Sequence, residues 1–249
     1  MNFYTDYFQH NPKDDFGYSP EWNQKINKWL EYLYAIDPAF YQQNKKRVLI
    51  DKQRDEFLGE IKAIYFLGKV LGLKIIDLEP VGNGSTRLDI SAEDLNGNLW
   101  KIEVKSPSWK GQIWKNSTKT DAEKKARTAL PQYINGEGGW FSPEEEIAFA
   151  TEDSIKNALP KFIKGDNNLL VIAPNMNQQV ITLLGISAMG GRRSNVIQGE
   201  LLLQDPDELV SSVLILEPIL FAADPEIKYF HKFVPITKSP ELPSVAEFI

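Results

Sequence analysis

The chain has no cysteine and only two histidines, His10 and His231, in 249 residues. Without thiols there can be no disulfide, zinc–thiolate site, iron–sulfur cluster or cysteine nucleophile. Two histidines far apart in sequence leave little scope for a histidine metal cluster or for serine–histidine catalysis. Long apolar runs are missing too. The strongest, VLILEPILFAA, is about ten residues long, carries Glu217 and Pro218, and is too short to span a bilayer. The opening MNFYTDYFQHNPKDD lacks the basic start and apolar run of a secretory leader. A cytoplasmic protein with no membrane partner is expected, and its chemistry must come from carboxylates and lysines.

A hydrophobic content of 42% is enough for one large domain with a real core, or for two small ones. The formal net charge of −6 means that any nucleic-acid surface must be local. Ser19 and Pro20 read as the N-cap and first position of a helix, with Trp22, Ile26, Trp29, Leu30 and Leu33 at helical spacing. A second helix is expected over about Gln53 to Leu71, with Phe57, Ile61, Ile64 and Leu71 as its apolar stripe and Gly72 closing it. Glu60 lies at the edge of that stripe and needs a partner, whether a salt bridge at the rim or a ligand. Three strand-like runs follow, LKIIDLEP, TRLDISA and LWKIEVKS. Helices are expected over about Asp121 to Tyr133 and across TEDSIKNALPKFIKG, with Thr151 capping the latter and Gly165 closing it. NNLLVIAPN then reads as a strand buried on both faces, able to run parallel to a central strand. SSVLILEPILFA is one more strand, and the proline-punctuated end reads as irregular cover. The expected fold is α/β, a mixed sheet flanked by helices. Residues 1–52 would be a helical extension, 53–175 the core, and 176–249 a C-terminal extension completing the same domain.

The hairpin between the second and third strands admits two registers. A two-residue Asn96-Gly97 turn would pair Ile90 with Glu103 and Leu88 with Lys105, mixing apolar and charged side chains on one face. A three-residue Leu95-Asn96-Gly97 loop, with Gly97 left-handed, pairs Ala92 with Trp100, Ile90 with Ile102 and Leu88 with Val104. The buried face sets the register, so the second is expected. It places Asp89 across from Glu103, Ser91 across from Lys101, and Lys105 diagonal to the acid pair. Carboxylates opposite one another repel, and a cation would resolve that. Mg²⁺ takes hard oxygen ligands and suits such a strand end, with Mn²⁺ as a substitute. A neighbouring lysine could orient water or stabilise transition-state charge.

The next segment is basic and aromatic. Lys110, Lys115, Lys119, Lys124, Lys125 and Arg127 stand against Asp121 and Glu123, with Trp109 and Trp114 among them. That reversal of the overall charge suits contact with a phosphate backbone, although a solvated helix face would read the same way. MGGRRSN lacks a Walker lysine and reads as a loop that could touch phosphate through Arg192 or Arg193.

RLDI…KIEVK resembles the PD-(D/E)xK nuclease superfamily, the restriction-endonuclease-like fold. The resemblance covers roughly residues 53 to 175. It implies a core of a helix, a three-strand antiparallel meander, a helix and a fourth, parallel strand. Asp89 matches the second-strand acid, and Glu103, Val104 and Lys105 match the E-x-K of the third strand. Glu60 would be the acid that many members add from the preceding helix, with Glu56 a nearby alternative. The resemblance implies that Asp89, Glu103 and the Val104 carbonyl hold Mg²⁺ and that Lys105 assists the attacking water. Leu88 stands where the motif's proline would be, a frequent departure. The implied activity is a metal-dependent endonuclease acting on nucleic acid, DNA ahead of RNA, with a homodimer if both strands are cut. The superfamily also contains inactive members. The alternative is therefore a nucleic-acid-binding or assembly protein in which Lys105 and the two acids form a structural salt-bridge cluster.

Overall fold

The computed structural model describes residues 20–49, 51–106, 154–173, 205, 207–218, 229–235, 240 and 242. Helix α1 spans Pro20–Ile36, α2 spans Pro38–Asn44, and a 3₁₀ turn, Lys45–Leu49, leads into α3, Asp51–Tyr65. The second expected helix thus starts two residues earlier than its apolar stripe suggested. It ends as expected, with Gly72 left-handed at φ 74°, but its last turn, Phe66–Val70, widens to a π-helix, with the Leu71 N–H reaching the Phe66 carbonyl at 2.9 Å. The Tyr32 ring packs edge-on against Tyr65 at 5.6 Å and lies where a side chain on Gly68 would stand, so α1 docks closely here. The expected helix over Asp121–Tyr133, Ser19 and Thr151 lie outside the described residues.

Six strands form one sheet in the order β1-β2-β3-β4-β5-β6. They are β1 Lys74–Leu78, β2 Ile90–Glu93, β3 Leu99–Lys105, β4 Asn167–Ile172, β5 Ser212–Pro218 and β6 Tyr229–Pro235. The first three make an antiparallel meander, and β4 joins β3 in parallel, as expected. β5 continues in parallel and β6 closes the row antiparallel. The protein is α/β, with an open mixed sheet flanked by helices. The C-terminal region, expected to be irregular beyond one strand, supplies two strands to this sheet. The run YFHKFVP hid β6 because His231 and Lys232 interrupt its apolar pattern, and its pairing with β5 outweighs that weak local signal.

Strand alternation sorts the core. Ile90, Ala92, Trp100, Ile102, Val104, Leu169, Val171 and Leu214 share one buried cluster with Ile26, Trp29, Leu30, Leu33, Phe57, Ile61 and Ile64 of α1 and α3. The second face carries Glu103, Lys105, Leu170, Ile172, Val213 and Ile215 by alternation. Ile155, Ala158 and Phe162, from the helical segment before β4, are buried outside the first cluster, and Lys161 of that segment reaches Glu103. That segment therefore lies over the second face. Gly59 marks where α3 meets the strand ends: a Cβ there would overlap the Ser106 Oγ and stand 3.1 Å from the Ala173 carbonyl.

The hairpin takes the three-residue register, with Ile90 opposite Ile102, Ser91 opposite Lys101 and Ala92 opposite Trp100. Gly97 has φ 83°, the left-handed conformation that this loop requires. Asp94 closes it. Its carboxylate accepts from the backbone N–H groups of Asn96 and Asn98, from the Asn98 side chain, and from the Trp100 indole. Burial works against the Asp94 charge, but these donors outweigh it and hold the carboxyl below its ordinary value. A depressed folded pKa gives stability that is present above the unfolded value near 4 and is lost as pH falls through the folded one. Asp94→Ala should therefore lower the unfolding free energy at pH 7 by about 2 kcal/mol, since the buried Trp100 indole and the part-buried loop donors lose their acceptor. In urea titrations from pH 7 down to pH 3, the gap between wild type and variant should narrow.

Candidate active site

The sheet bends where β2 meets the acid motif. Asp89 lies one residue before the ladder begins. Its N–H donates at 3.1 Å to the Ile102 carbonyl, although Ile102 is already the partner of Ile90. Two consecutive residues facing one is the pattern of a β-bulge. The expected face-to-face Asp89–Glu103 and Leu88–Val104 pairs are therefore absent from the ladder. Leu88 instead donates its N–H to the Pro80 carbonyl at 3.0 Å. The bulge has a physical logic. A carboxylate set squarely opposite another would repel it, whereas the bend brings the Asp89 Oδ2 to the Val104 N–H at 2.6 Å.

Glu103 is fully buried on the second face. Its Oε1 accepts from the Lys105 Nζ at 2.6 Å and from the Lys161 Nζ at 2.5 Å. Its Oε2 has no hydrogen-bond partner among the described residues. A buried carboxylate must be compensated, and two ammonium groups on one oxygen provide this. Lys161 was not anticipated, because a lysine that ends a helical segment 58 residues away carries no local mark of the site. Its backbone is tethered by the Asn83 N–H, which reaches the Lys161 carbonyl at 2.8 Å. Burial opposes the Lys161 charge, but the hydrogen bond and charge of Glu103, with Asp89 and Glu60 beyond, hold its ammonium above its ordinary value.

Glu60 lies on α3 within electrostatic reach of Asp89. Both its oxygens are occupied: Arg47 Nη1 donates to Oε2 and Nη2 to Oε1, each at 2.7 Å. Arg47 also escaped the sequence reading, because it falls outside the motif, in the turn before α3. Glu56, the other helix acid considered, is exposed. Asp89, Glu103, Lys105 and Glu60 thus form one charged cluster with Lys161 and Arg47. Lys110, Lys115, Lys119, Lys124, Lys125, Arg127, Arg192 and Arg193 lie outside the described residues.

The donor set suits a hard divalent cation of modest coordination. The Lys105 carbonyl accepts from the Ala173 N–H at 2.7 Å, so Lys105 faces β4. Successive residues of a strand present their backbone groups to opposite edges. The Val104 N–H and carbonyl therefore face the side where Asp89 lies. Asp89, the open Oε2 of Glu103 and the Val104 carbonyl could hold Mg²⁺, which keeps several waters of its own. Among the described residues, no three histidine or acidic side chains converge as a metal cage, so the backbone oxygen matters.

Burial, then the charges of Glu103 and Glu60, push the Asp89 carboxyl up to about 8, against the pull of the Val104 N–H and Lys161. Because the folded value lies above the unfolded one, the contribution runs opposite to that of Asp94. Folding favours protonated Asp89, and stability is lost as pH rises from about 4 to about 8. In chelator, wild-type unfolding free energy should fall with pH relative to Asp89→Asn, by somewhat under the ~1.4 kcal/mol per pH unit that one titrating group can contribute. Urea midpoints at pH 5, 6, 7 and 8 measure the divergence, and parallel curves would contradict it.

No family model, curated protein or solved structure matches the chain, so the functional reading is carried by the geometry of these residues.

Proposed function

We propose that the protein is a metal-dependent nuclease of restriction-endonuclease-like fold, hydrolysing phosphodiester bonds in nucleic acid, with DNA as the favoured substrate. The observation that carries this is Glu103: a fully buried carboxylate with one oxygen held by two lysines and the other lacking a donor among the described residues, beside Asp89 at the same strand end. A buried acceptor without a partner is costly, and a cation bound on that side would satisfy it. When bound, Mg²⁺ would supply Lewis acidity toward a phosphoryl oxygen. Asp89 would be kept ionised by that charge and would stay fixed by the Val104 N–H. Lys105, already aligned on Glu103, would orient the attacking water and offset charge gathering on the phosphate. Lys161 would remain on Glu103 and hold that carboxylate in place when Lys105 turns to the substrate.

The second reading is a non-cleaving nucleic-acid-binding or assembly protein, and one observation favours it. The two lysines compensate the Glu103 charge by themselves. The two readings separate in one set of measurements. The nuclease should cut plasmid or linear DNA in Mg²⁺ or Mn²⁺ and stop in chelator. Glu103→Ala should reduce the rate by at least about 100-fold, the scale of losing a principal electrostatic element of a site. No cleavage of DNA or RNA under any metal condition, together with calorimetry showing no Mn²⁺ uptake, would instead establish the salt-bridge cluster as structural.

A further inference from the structure

Arg47 and Glu60 meet fork to fork, with two parallel hydrogen bonds of 2.7 Å each. The guanidinium is held from a second side as well, lying 5.0 Å above the Phe57 ring. Such a group has five N–H donors, of which Glu60 takes two. No other acceptor among the described residues engages it, and the side chain keeps 21% of its surface exposed. It is also close enough to Asp89 to be influenced by that charge. Glu60, by contrast, has both oxygens committed, and no third acid joins Asp89 and Glu103 in a cage among the described residues.

We propose that Glu60 is a positioning residue rather than a metal ligand, holding the Arg47 guanidinium at the rim of the site so that its free edge takes a phosphate oxygen of the nucleic-acid backbone. This rests on the nuclease reading and adds a substrate contact to it. A planar guanidinium braced by a carboxylate and a ring loses little freedom when it meets a phosphate. The bracing also explains why a costly half-buried ion pair stands at this edge of the site: its net charge is zero, yet its outward side is cationic.

Two variants of the full chain test the assignment: Glu60→Gln, and the double variant Arg47→Met/Glu60→Gln, which removes the pair together and leaves no unpaired charge. Mn²⁺ binding is followed by calorimetry, and binding of a fluorescent DNA duplex in chelator is followed across a salt series. Both variants should bind Mn²⁺ within about twofold of wild type. The double variant should bind the duplex on the order of tenfold more weakly, one charge-assisted contact. Its slope of log affinity on log salt should be shallower by about 0.9, the signature of one lost phosphate contact, which a purely structural pair would not produce. Glu60→Gln alone should fall between wild type and the double variant. Loss of Mn²⁺ binding in Glu60→Gln, with the wild type still binding and cutting, would overturn this inference and leave the nuclease reading standing. Unchanged duplex affinity in the double variant, or tighter binding in Glu60→Gln, would also overturn it. A wild type that binds neither Mn²⁺ nor duplex would remove the nuclease reading and this inference with it.

Discussion

The register of the β2–β3 hairpin is the constraint on which the rest of the site depends. Side chains on a strand alternate with a period of two, so a slip of one residue would move Glu103 and Lys105 to the face packed by α1 and α3, and Ile102 and Val104 to the other. A charged pair under those helices would be unpartnered, and an apolar pair would be lost from the core. Two features prevent the slip. Trp100, Ile102 and Val104 reward only the observed pairing with burial. The Asp94 carboxylate gathers the loop donors and the Trp100 indole at one point, and that geometry fits only a three-residue loop. The loop therefore helps determine what happens at the far end of the strands, where the acids lie.

At that end the sheet needs irregularity. Perfect continuation of the ladder would set Asp89 directly against Glu103 across two strands. The bulge removes Asp89 from the ladder and gives its carboxylate a backbone donor, while the second face gives Glu103 two ammonium groups. Each acid is stabilised by a different means, one by a main-chain dipole and one by side-chain charge. The two acids thus draw on different hydrogen-bond donors. The helix side follows the same rule, with Glu60 compensated by Arg47. The three carboxylates influence one another, and burial outweighs the local donors of Asp89 and Glu60, whose carboxyls both stand above their ordinary values.

This explains what could be read from the chain and what could not. The register was legible because the apolar residues of both strands had to coincide, and Leu95-Asn96-Gly97 permitted a loop that let them. The buried β4 was legible from its unbroken apolar run, and α3 from its stripe. Other features depend on contacts that no local pattern records. The bulge at Asp89 depends on how Asp89 meets Ile102 and Val104 of the neighbouring strand. Lys161 meets Glu103 only after β4 has packed beside β3. Arg47 looks like any surface basic residue until α3 brings Glu60 beside it. β6 was missed because pairing with β5 supplies what its own pattern lacks. In each case the missing information was long-range, and it concerned the partners of the motif residues more than the motif residues themselves.

The doubled lysine on Glu103 bears on how the cluster could work at all. A single ammonium on a buried carboxylate would face a conflict if it also had to serve a substrate, because leaving the carboxylate would expose a buried charge with no partner, a cost of several kcal/mol. With Lys161 in place, Lys105 can move while Glu103 remains hydrogen-bonded and fixed in direction. The two lysines compensate the Glu103 charge by themselves, so that a divalent ion would add to a formed cluster instead of assembling it. On the nuclease reading, the second lysine is what would let Lys105 serve a substrate while Glu103 stays held.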